Sequence, residues 1–350
     1  MRLSRVLAMS SARQSFPSER DKIDFLSAPE SYPELTNMVS VIQTHHAWVF
    51  LTDQHAYKMK KPFRHGRIDC SSLESRQYLC NEEYRLNQRL APHTYLGVVP
   101  LLIGKDGMLH IDGSGHAVEW LVKMRRLPSE FMMDKAGPSG LVTVEDIDRL
   151  MQKLLRFYQS APACCVGSDS YSSRLWQDVS NVSDELLDPR YDFPRVLVND
   201  VVDHLKAYID TNASLLDRRQ QEGFVREVHG DLRPEHVALV PDADPEIIDC
   251  LEFDPDLRCL DSIEELAYFG LECRVIDQRW IEDACIEWHQ SHSGDSAPDH
   301  LWRFYAARRA IVRAKLSAWH TLESDTVERW LRRGREYLHL AQEYMVIAGK

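Results

Sequence analysis

The stretch Val225–Val237, VREVHGDLRPEHV, carries the most informative pattern of the sequence, and we place the candidate chemistry there. Its short apolar approach leads into His229-Gly230-Asp231, and a second apolar segment, Glu246–Phe253, follows soon after. In that second segment Asp249 comes directly after two β-branched residues. The pattern predicts that the ends of two adjacent short strands deliver the carboxylates of Asp231 and Asp249 to one place. Such an arrangement suits a site that holds a hydroxyl and a magnesium ion side by side.

The bulk composition is that of an ordinary soluble globular protein. With 350 residues the chain can form one large two-lobed domain or two ordinary ones. Apolar residues make up 44% and charged residues 27%, both usual values. The formal net charge of −12 argues against nucleic acid or an anionic membrane as a partner. It is compatible with a cationic substrate. No apolar run approaches the roughly 18 residues of a membrane span.

The cysteines and the N-terminus bear on the compartment. The eight cysteines contain no C-x-x-C pair, and Cys164 and Cys165 are adjacent. This predicts neither a zinc framework nor a disulfide scaffold, and therefore a reducing, cytoplasmic location. Residues 1–20 are Arg- and Ser-rich, as transit peptides are, but the apolar run there is too short for a secretory signal. The simpler interpretation is a disordered tail over residues 1–33.

The N-terminal third predicts a small sheet carrying charged residues on one face. Trp48–Leu51 and Ala56–Lys60 are β-type runs joined by a polar turn, and Lys58 shares strand parity with Lys60. Ser71 and Glu74 form a capping-box pattern that opens a helix reaching about Leu90. Glu83 falls on the apolar stripe of that helix, where a carboxylate is costly unless a cation meets it. Lys58 or Lys60 could be that cation; the alternative is that Glu83 reaches solvent.

The rest of the chain predicts three more strands and then helices. Gly97–Ile103, Met108–Ile111 and Ala117–Met124 complete a β-β-α-β-β-β order over residues 34–126. Residues 127–350 are mainly helical in pattern, interrupted by the short β region with the two aspartates. The predicted helices begin at Thr143, which with Asp146 forms a cap, and continue over Tyr171–Leu187, Val196–Leu216, Asp261–Cys273 and two long amphipathic helices at the end.

These features resemble the aminoglycoside phosphotransferase-like branch of the protein-kinase-like fold. The segment Asp231–His236, DLRPEH, is similar to the kinase catalytic-loop pattern D-L-K-P-E-N, and Asp249 stands where the magnesium-binding aspartate is expected. Other segments resemble the N-terminal half of bacterial proteins that fuse such a domain to a P-loop ATP-binding domain: Trp48–Thr52, Ala56–Pro62, Arg89–Pro92, Tyr95–Pro100, Val122–Pro128 and Ile248–Phe253. The resemblance covers roughly residues 35 to 340, and no P-loop signature occurs in the sequence.

The resemblance implies an α+β, protein-kinase-like two-lobed fold. Its N-lobe, residues 34–126, would be a small antiparallel sheet with one helix that binds nucleotide, and its C-lobe, residues 127–350, would be mainly helical and carry the catalytic loop. The implied activity is transfer of the γ-phosphate of ATP (or GTP), with Mg²⁺, to a hydroxyl of a small molecule. The catalytic aspartate and the metal-binding aspartate would then face a strand lysine across a cleft.

The resemblance also implies a role for each candidate residue. Asp231 would orient or deprotonate the substrate hydroxyl, and Asp249 would hold magnesium. Lys58, with Lys60 as a second candidate, would grip the α- and β-phosphates, steadied by Glu83. Arg233 could add positive charge at the γ-phosphate, or could equally form a surface salt bridge.

Two departures from the family pattern bear on activity. His236 stands where an asparagine, a second metal ligand, is expected, and imidazole is a poor ligand for magnesium. His236 is therefore a weak candidate for the metal and the nucleotide, and a nucleotide-binding pseudokinase acting as a sensor or partner-binding protein is the alternative function. No glycine precedes Gly66, so no Gly-rich loop covers the phosphates. Glu252 would face away from Asp249 if the strand continued through it.

Other chemistries find less support in the sequence. His45-His46 and the pair His289/His292 lack nearby partners at metal-binding spacing, so surface histidines are the better interpretation. A serine hydrolase would need a G-x-S-x-G elbow, and none is present. A protein kinase is disfavoured because no activation segment of ordinary length separates Asp249 from the following helix.

Overall fold

A computed structural model describes residues 16–65, 68–164, 170–322 and 326–348. The chain divides into two compact units. The first unit comprises the described residues up to Arg85 together with His93–Arg126, and the second comprises Leu86–Pro92 and the described residues from Leu127 onward. The mixture of a strand-rich first unit and a helix-rich second unit confirms the predicted α+β class.

The first unit is built on a six-stranded antiparallel sheet whose strands lie in the order β1 Ser40–Gln43, β2 Ala47–Leu51, β3 His55–Lys60, β8 His116–Arg125, β6 Tyr95–Ile103 and β7 Leu109–Ile111. Its apolar face buries Phe50, Tyr57, Met59 and Leu121, among others. Residues of opposite parity on β3, Lys58 and Lys60, therefore project from the other face. Two further short strands, β4 Arg64–His65 and β5 Ile68–Asp69, pair with each other outside this sheet.

Two helices accompany the sheet, α1 Glu19–Leu26 and α2 Leu73–Asn87. The predicted start of α2 was off by one position. Ser71 does not cap the helix through Glu74; instead the Ser72 hydroxyl accepts a hydrogen bond from the Ser75 amide at 3.0 Å. The sequence predicted one helix in this lobe, and the structure has a second, α1.

The expected disordered tail over residues 1–33 was wrong for its second part, because α1 lies there. Ser18 and Asp21 form a capping box at the helix start. Leu26 is fully buried, and Lys22 reaches the buried Glu119 of β8 at 2.7 Å. The helix was missed because its stabilising partners lie far along the chain. Residues 1–15, with most of the transit-peptide-like stretch, lie outside the described residues.

The second unit packs its helices around a single large apolar core. The predicted capping box at Thr143 and Asp146 is confirmed at the start of α4. A further helix, α8, was not predicted. The helices are α3 Met133–Ala136, α4 Val144–Ser160, α5 Tyr171–Leu186, α6 Arg195–Gln221, α7 Ser262–Val275, α8 Arg279–His292, α9 Asp299–His320 and α10 Val327–Ala348. None of the helices in the described part of the chain is long and apolar enough to cross a membrane.

Two small antiparallel strand pairs carry the decisive stretch of the second unit. The strand β9, Val225–Glu227, pairs with β12, Cys259–Asp261, and β10, Val237–Ala238, pairs with β11, Glu246–Ile247. The pairing of β10 with β11 brings the two aspartate-bearing segments side by side. The predicted strand over Glu246–Phe253 is much shorter than expected, since it ends at Ile247.

One cysteine pair forms a disulfide, although the sequence predicted no disulfide scaffold. Cys164 and Cys259 form a disulfide with a Cα–Cα distance of 5.8 Å. The two residues flank β9: the Cys164 amide donates to the Val225 carbonyl, and Cys259 lies opposite Glu227. Their sequence separation of 95 residues explains why spacing alone could not reveal the pair.

Candidate active site

The first unit brings its three predicted site residues together. The Lys58 amine lies 2.9 Å from Glu83 Oε1, and the Lys60 amine pairs with Glu83 Oε2. The Glu83 side chain is 0% exposed and that of Lys60 is 1% exposed, whereas that of Lys58 is 15% exposed. The alternative that Glu83 reaches solvent is therefore wrong. Both lysines contact the Glu83 carboxylate, although the sequence predicted a single cation, Lys58 or Lys60, as its partner.

The two lysines differ in what they can reach. Lys60 is enclosed, so its amine serves the carboxylate of Glu83 and the packing of α2 on the sheet. The Lys58 side chain is more exposed, and the same Glu83 carboxylate holds its amine in place. An oriented, partly exposed ammonium is the kind of group that grips nucleotide phosphates. Lys58 is thus the better candidate for phosphate binding.

Replacement of Glu83 by Gln is expected to destabilise the protein by about 3–5 kcal/mol, because it removes the buried negative charge that pairs with the buried Lys60 amine. Denaturant unfolding followed by circular dichroism measures this. The matched control is Glu82→Gln, since Glu82 pairs with Arg85 on the partly exposed side of the same helix and such pairs contribute about 0–1 kcal/mol. Equal effects of both substitutions would contradict a buried Lys–Glu pair.

A second buried ion cluster in the first unit was missed by sequence reasoning. Glu119 of β8, only 1% exposed, accepts from Arg76 Nε at 2.8 Å and from Lys22 at 2.7 Å. Arg76 lies two helical turns before Glu83 on α2 and is also buried. The sequence did contain a signal for this cluster, because Arg76 lies on the same helix face as Glu83, and a buried arginine requires an acidic partner. The cluster joins α1, α2 and the sheet.

In the second unit, the loop after β9 is held by buried hydrogen bonds to its backbone. Gly230 has a φ of +87°, and its amide donates to Glu265 Oε1 at 2.6 Å. A Cβ at Gly230 would lie 3.1 Å from Leu251 Cδ1 and from the Leu257 carbonyl oxygen. Both the backbone conformation and the close contacts therefore favour glycine before Asp231.

His229 is a structural residue of this loop. Its Nε2 lies 2.9 Å from the Ile248 carbonyl oxygen, and its Nδ1 accepts from the Asp231 amide at 3.3 Å. A carbonyl oxygen only accepts, so Nε2 carries the proton. Burial lowers the pKa of His229 to about 4. The neutral ring thus connects the segment before Asp231 to the segment before Asp249.

Both oxygens of the Asp231 carboxylate accept hydrogen bonds. Tyr268 of α7 donates to Oδ1 at 2.9 Å, and Arg233 Nε donates to Oδ2 at 3.0 Å. Burial by itself raises the pKa of Asp231, but the positive charge of Arg233, with a smaller contribution from Arg313, outweighs burial and lowers the pKa to about 2. The side chain is still 23% exposed. Asp231 is therefore an accessible, permanently ionised hydrogen-bond acceptor near neutral pH.

Tyr268 is a site residue that sequence reasoning did not find. It is 2% exposed, and Arg309 of α9 stacks over its ring at 5.1 Å. Sequence patterns place Tyr268 only on a buried helix face, with no signal that its hydroxyl points to Asp231.

Arg233 is held within the cluster around Asp231 and does not form an isolated salt bridge at the surface. Its guanidinium contacts Asp231 Oδ2, pairs with Glu235, and lies 3.3 Å from His236 Nε2. Its side chain is 18% exposed. The guanidinium thus places a positive charge directly beside the candidate catalytic carboxylate.

Asp249 lies just beyond the end of β11 with a left-handed backbone, φ +65°, which aspartate adopts more readily than most residues. Its side chain is 41% exposed, and its Oδ2 lies 3.5 Å from His236 Nε2. His236 Nδ1 in turn lies 3.8 Å from Asp231 Oδ2. The structure therefore brings Asp231, Arg233, His236 and Asp249 into one cluster. Because the strand ends before Glu252, the parity argument for that residue does not apply, and Glu252 is buried.

The cluster offers a magnesium ion an oxygen ligand in Asp249. Magnesium is bound through one or two carboxylates together with substrate phosphates and waters, so one exposed carboxylate at the strand end fits. His236 fits less well, because its ring nitrogens already face protein groups. Among the described residues no group of three or more His, Cys, Asp and Glu is arranged as a protein-only metal centre.

The histidines dismissed as surface residues are not all exposed. His289 is 5% exposed, meets the ring of Trp302 edge-on and lies 4.0 Å from Asp295. His292 is exposed and stacks on Trp288. His45 and His46 contact each other edge to face. The prediction of a surface position was wrong for His289, whose helix α8 was not foreseen.

The low pKa of Asp231 makes a testable prediction for the pH dependence of activity. The folded pKa of about 2 lies below the ordinary value of about 3.9, so the associated stability and ionised state persist above pH 4 and are lost only as pH falls from about 4 towards 2. Replacement of Arg233 by Met removes the main lowering charge, so the acidic limb of the kcat/KM profile should move to higher pH. The exposed Arg190→Met is the control. An unchanged limb in Arg233→Met would contradict the assignment.

Comparison with solved structures identifies the fold. A choline/ethanolamine kinase family protein of Mesorhizobium loti matches 93% of this chain and 98% of its own, with a TM-score of 0.57 and 11% identity. An ethanolamine kinase of Plasmodium vivax matches 87% of this chain and 81% of its own, with a TM-score of 0.53 and 9% identity. A thermostable mutant of the aminoglycoside phosphotransferase APH(4)-Ia matches 87% of this chain and 95% of its own, with a TM-score of 0.50 and 10% identity.

The chain therefore has the kinase-like fold of the aminoglycoside phosphotransferases and the choline/ethanolamine kinases, which confirms the fold that the sequence resemblance implied. No protein-family model matches the sequence. Uncharacterised proteins of Mycobacterium tuberculosis and Mycobacterium bovis are 32% identical over 286 residues, 79% of this chain and 54% of theirs. The chain thus spans about half the length of these relatives.

Proposed function

We propose that the protein is an ATP-dependent phosphotransferase that moves the γ-phosphate to a hydroxyl of a small molecule. The observation that carries the proposal is the cluster around Asp231. Tyr268 and Arg233 hold the ionised, accessible carboxylate of Asp231 in place. His236 lies close to this carboxylate and also to that of Asp249. The kinase-like fold supports this chemistry but does not by itself define it.

In the proposed reaction Asp231 accepts a hydrogen bond from the acceptor hydroxyl and aims its oxygen at the γ-phosphorus. The new O–P bond forms as the bond between the γ-phosphorus and the β,γ-bridging oxygen breaks, so ADP leaves with that oxygen. The hydroxyl proton passes to Asp231 and then to solvent. A carboxylate with a pKa of about 2 is a weak base. Its main contribution is therefore orientation, as expected for a loose phosphoryl-transfer transition state.

Asp249 would hold magnesium against the nucleotide phosphates, and the ion would neutralise charge that develops on the leaving group. Arg233 adds a fixed positive charge at the same ring nitrogen of His236, Nε2, that faces the Asp249 carboxylate. Lys58 would grip the α- and β-phosphates, held in place by Glu83, while Lys60 holds the Glu83 carboxylate in position. GTP could replace ATP in this scheme.

A thermal-shift screen with ATP, GTP and magnesium tests the proposal first. Nucleotide that binds only the folded state should raise the melting temperature, and magnesium should increase the effect. ATP-consumption assays over amino alcohols, sugars and aminoglycosides then identify the acceptor class. Absence of any nucleotide-dependent stabilisation would contradict the proposed function.

A further inference from the structure

His236 has a defined orientation in the cluster. Its side chain is 9% exposed, and Nδ1 lies 2.9 Å from the carbonyl oxygen of Asp231. Because a carbonyl oxygen only accepts, Nδ1 carries a proton. The other nitrogen, Nε2, is directed towards the space between Arg233 and Asp249.

The remaining nitrogen of His236 is occupied by Arg233. The Arg233 guanidinium lies 3.3 Å from Nε2, and a guanidinium can only donate. Nε2 is therefore the acceptor, and its lone pair is directed to Arg233. Arg233 is also held by two contacts to Asp231 Oδ2, at 3.0 Å and 2.9 Å, and by Glu235. The ring has no lone pair left for a metal ion while this arrangement persists.

Protein kinases hold two magnesium ions at this place, one on an aspartate and one on the catalytic-loop asparagine. The second ion needs an oxygen ligand, and His236 supplies none. The positive charge that the second ion would provide is present instead as the guanidinium of Arg233. Arginine can stabilise a transferring phosphoryl group, as arginine fingers do.

We infer that this chain works with a single metal ion, held by Asp249, and that Arg233, positioned by His236, replaces the second ion as the charge on the transferring phosphate. The inference rests on the proposed function and names the catalytic role of Arg233. His236 is a positioning residue, which departs from its predicted role as a metal or nucleotide ligand.

Manganese binding in the presence of ADP or a non-hydrolysable ATP analogue, followed by the electron paramagnetic resonance signal of free Mn²⁺, tests the inference. The full-length wild-type protein should bind a single nucleotide-dependent Mn²⁺. His236→Asn restores an oxygen ligand and should bind a second. The exposed His204→Asn is the matched control and should behave as wild type.

Kinetic coupling between the two residues provides an independent readout. Arg233→Met should lower kcat on the order of 100-fold, the loss typical of removing one transition-state donor. The same change in a His236→Asn background should cost less at high magnesium, because a second ion then supplies the missing charge. Additive effects would contradict the replacement of a metal ion by Arg233.

The outcomes separate the inference from the function beneath it. Two Mn²⁺ ions bound to the wild-type protein would refute the inference and leave the phosphotransferase intact. If the wild type bound no nucleotide and no nucleotide-dependent Mn²⁺, both the inference and the proposed function would be refuted. If His236→Asn does not fold, the wild-type stoichiometry alone decides.

Discussion

Replacement of Asp231 by Asn is expected to lower kcat for phosphate transfer by about 100- to 10,000-fold, the range for loss of a positioned acid–base group. The amide can still accept a hydrogen bond from Tyr268, so the loop should keep its structure. It carries no negative charge, and therefore neither attracts the hydroxyl proton nor pairs with Arg233. The measurement is steady-state ATP consumption with a saturating acceptor, alongside ATP affinity.

The affinity measurement distinguishes a catalytic role from a structural one. Asp231→Asn should bind magnesium-ATP nearly as well as wild type, because Asp231 acts on the acceptor. Asp192→Asn is the matched control, since the Asp192 side chain is 94% exposed. Unchanged kcat in Asp231→Asn would remove the catalytic role, and a protein that binds nucleotide equally in both forms without turnover would favour the pseudokinase alternative.

Replacement of Asp249 by Asn is expected to weaken ATP binding in the presence of magnesium by about 100-fold or more, since changes even to outer-shell partners of a metal cost about 10- to 100-fold. ATP affinity without magnesium should change little. Calorimetric titration with and without the ion measures both quantities.

The backbone at Asp249 requires a control of the same conformation. Asp277 is exposed and also has a left-handed backbone, φ +61°, so Asp277→Asn tests whether the substitution itself disturbs such a position. Asparagine tolerates this region as well as aspartate does. If Asp249→Asn kept full magnesium-dependent affinity, the ion would have to be held elsewhere.

The sequence predicted much of the fold because local signals agreed with the tertiary structure. The polar turn between Leu51 and His55, the parity of Lys58 and Lys60, and the capping box at Thr143 each depend on neighbours close in sequence. Glu83 was informative because a carboxylate on a buried stripe requires a cation. Each of these features could be read without knowing what else packs nearby.

The features that were missed depend on contacts between distant segments. Tyr268 reaches Asp231 only through the packing of α7, the disulfide forms only because Cys164 and Cys259 flank β9, and α1 is held by Glu119. The left-handed backbone at Asp249 cut short a strand that apolar pattern alone extends to Phe253. The orientation of His236 likewise follows from its two ring contacts and not from its residue type.

Calorimetric titration of magnesium-ATP into wild type and Lys58→Met tests most directly whether Lys58 binds the phosphates of the nucleotide. Lys105→Met, on an exposed turn of the same unit, is the control. Wild type and Lys105→Met should bind ATP with equal affinity, and Lys58→Met, still folded, should lose most of that affinity. Equal binding by Lys58→Met, or no binding by the wild type, would contradict this role of Lys58.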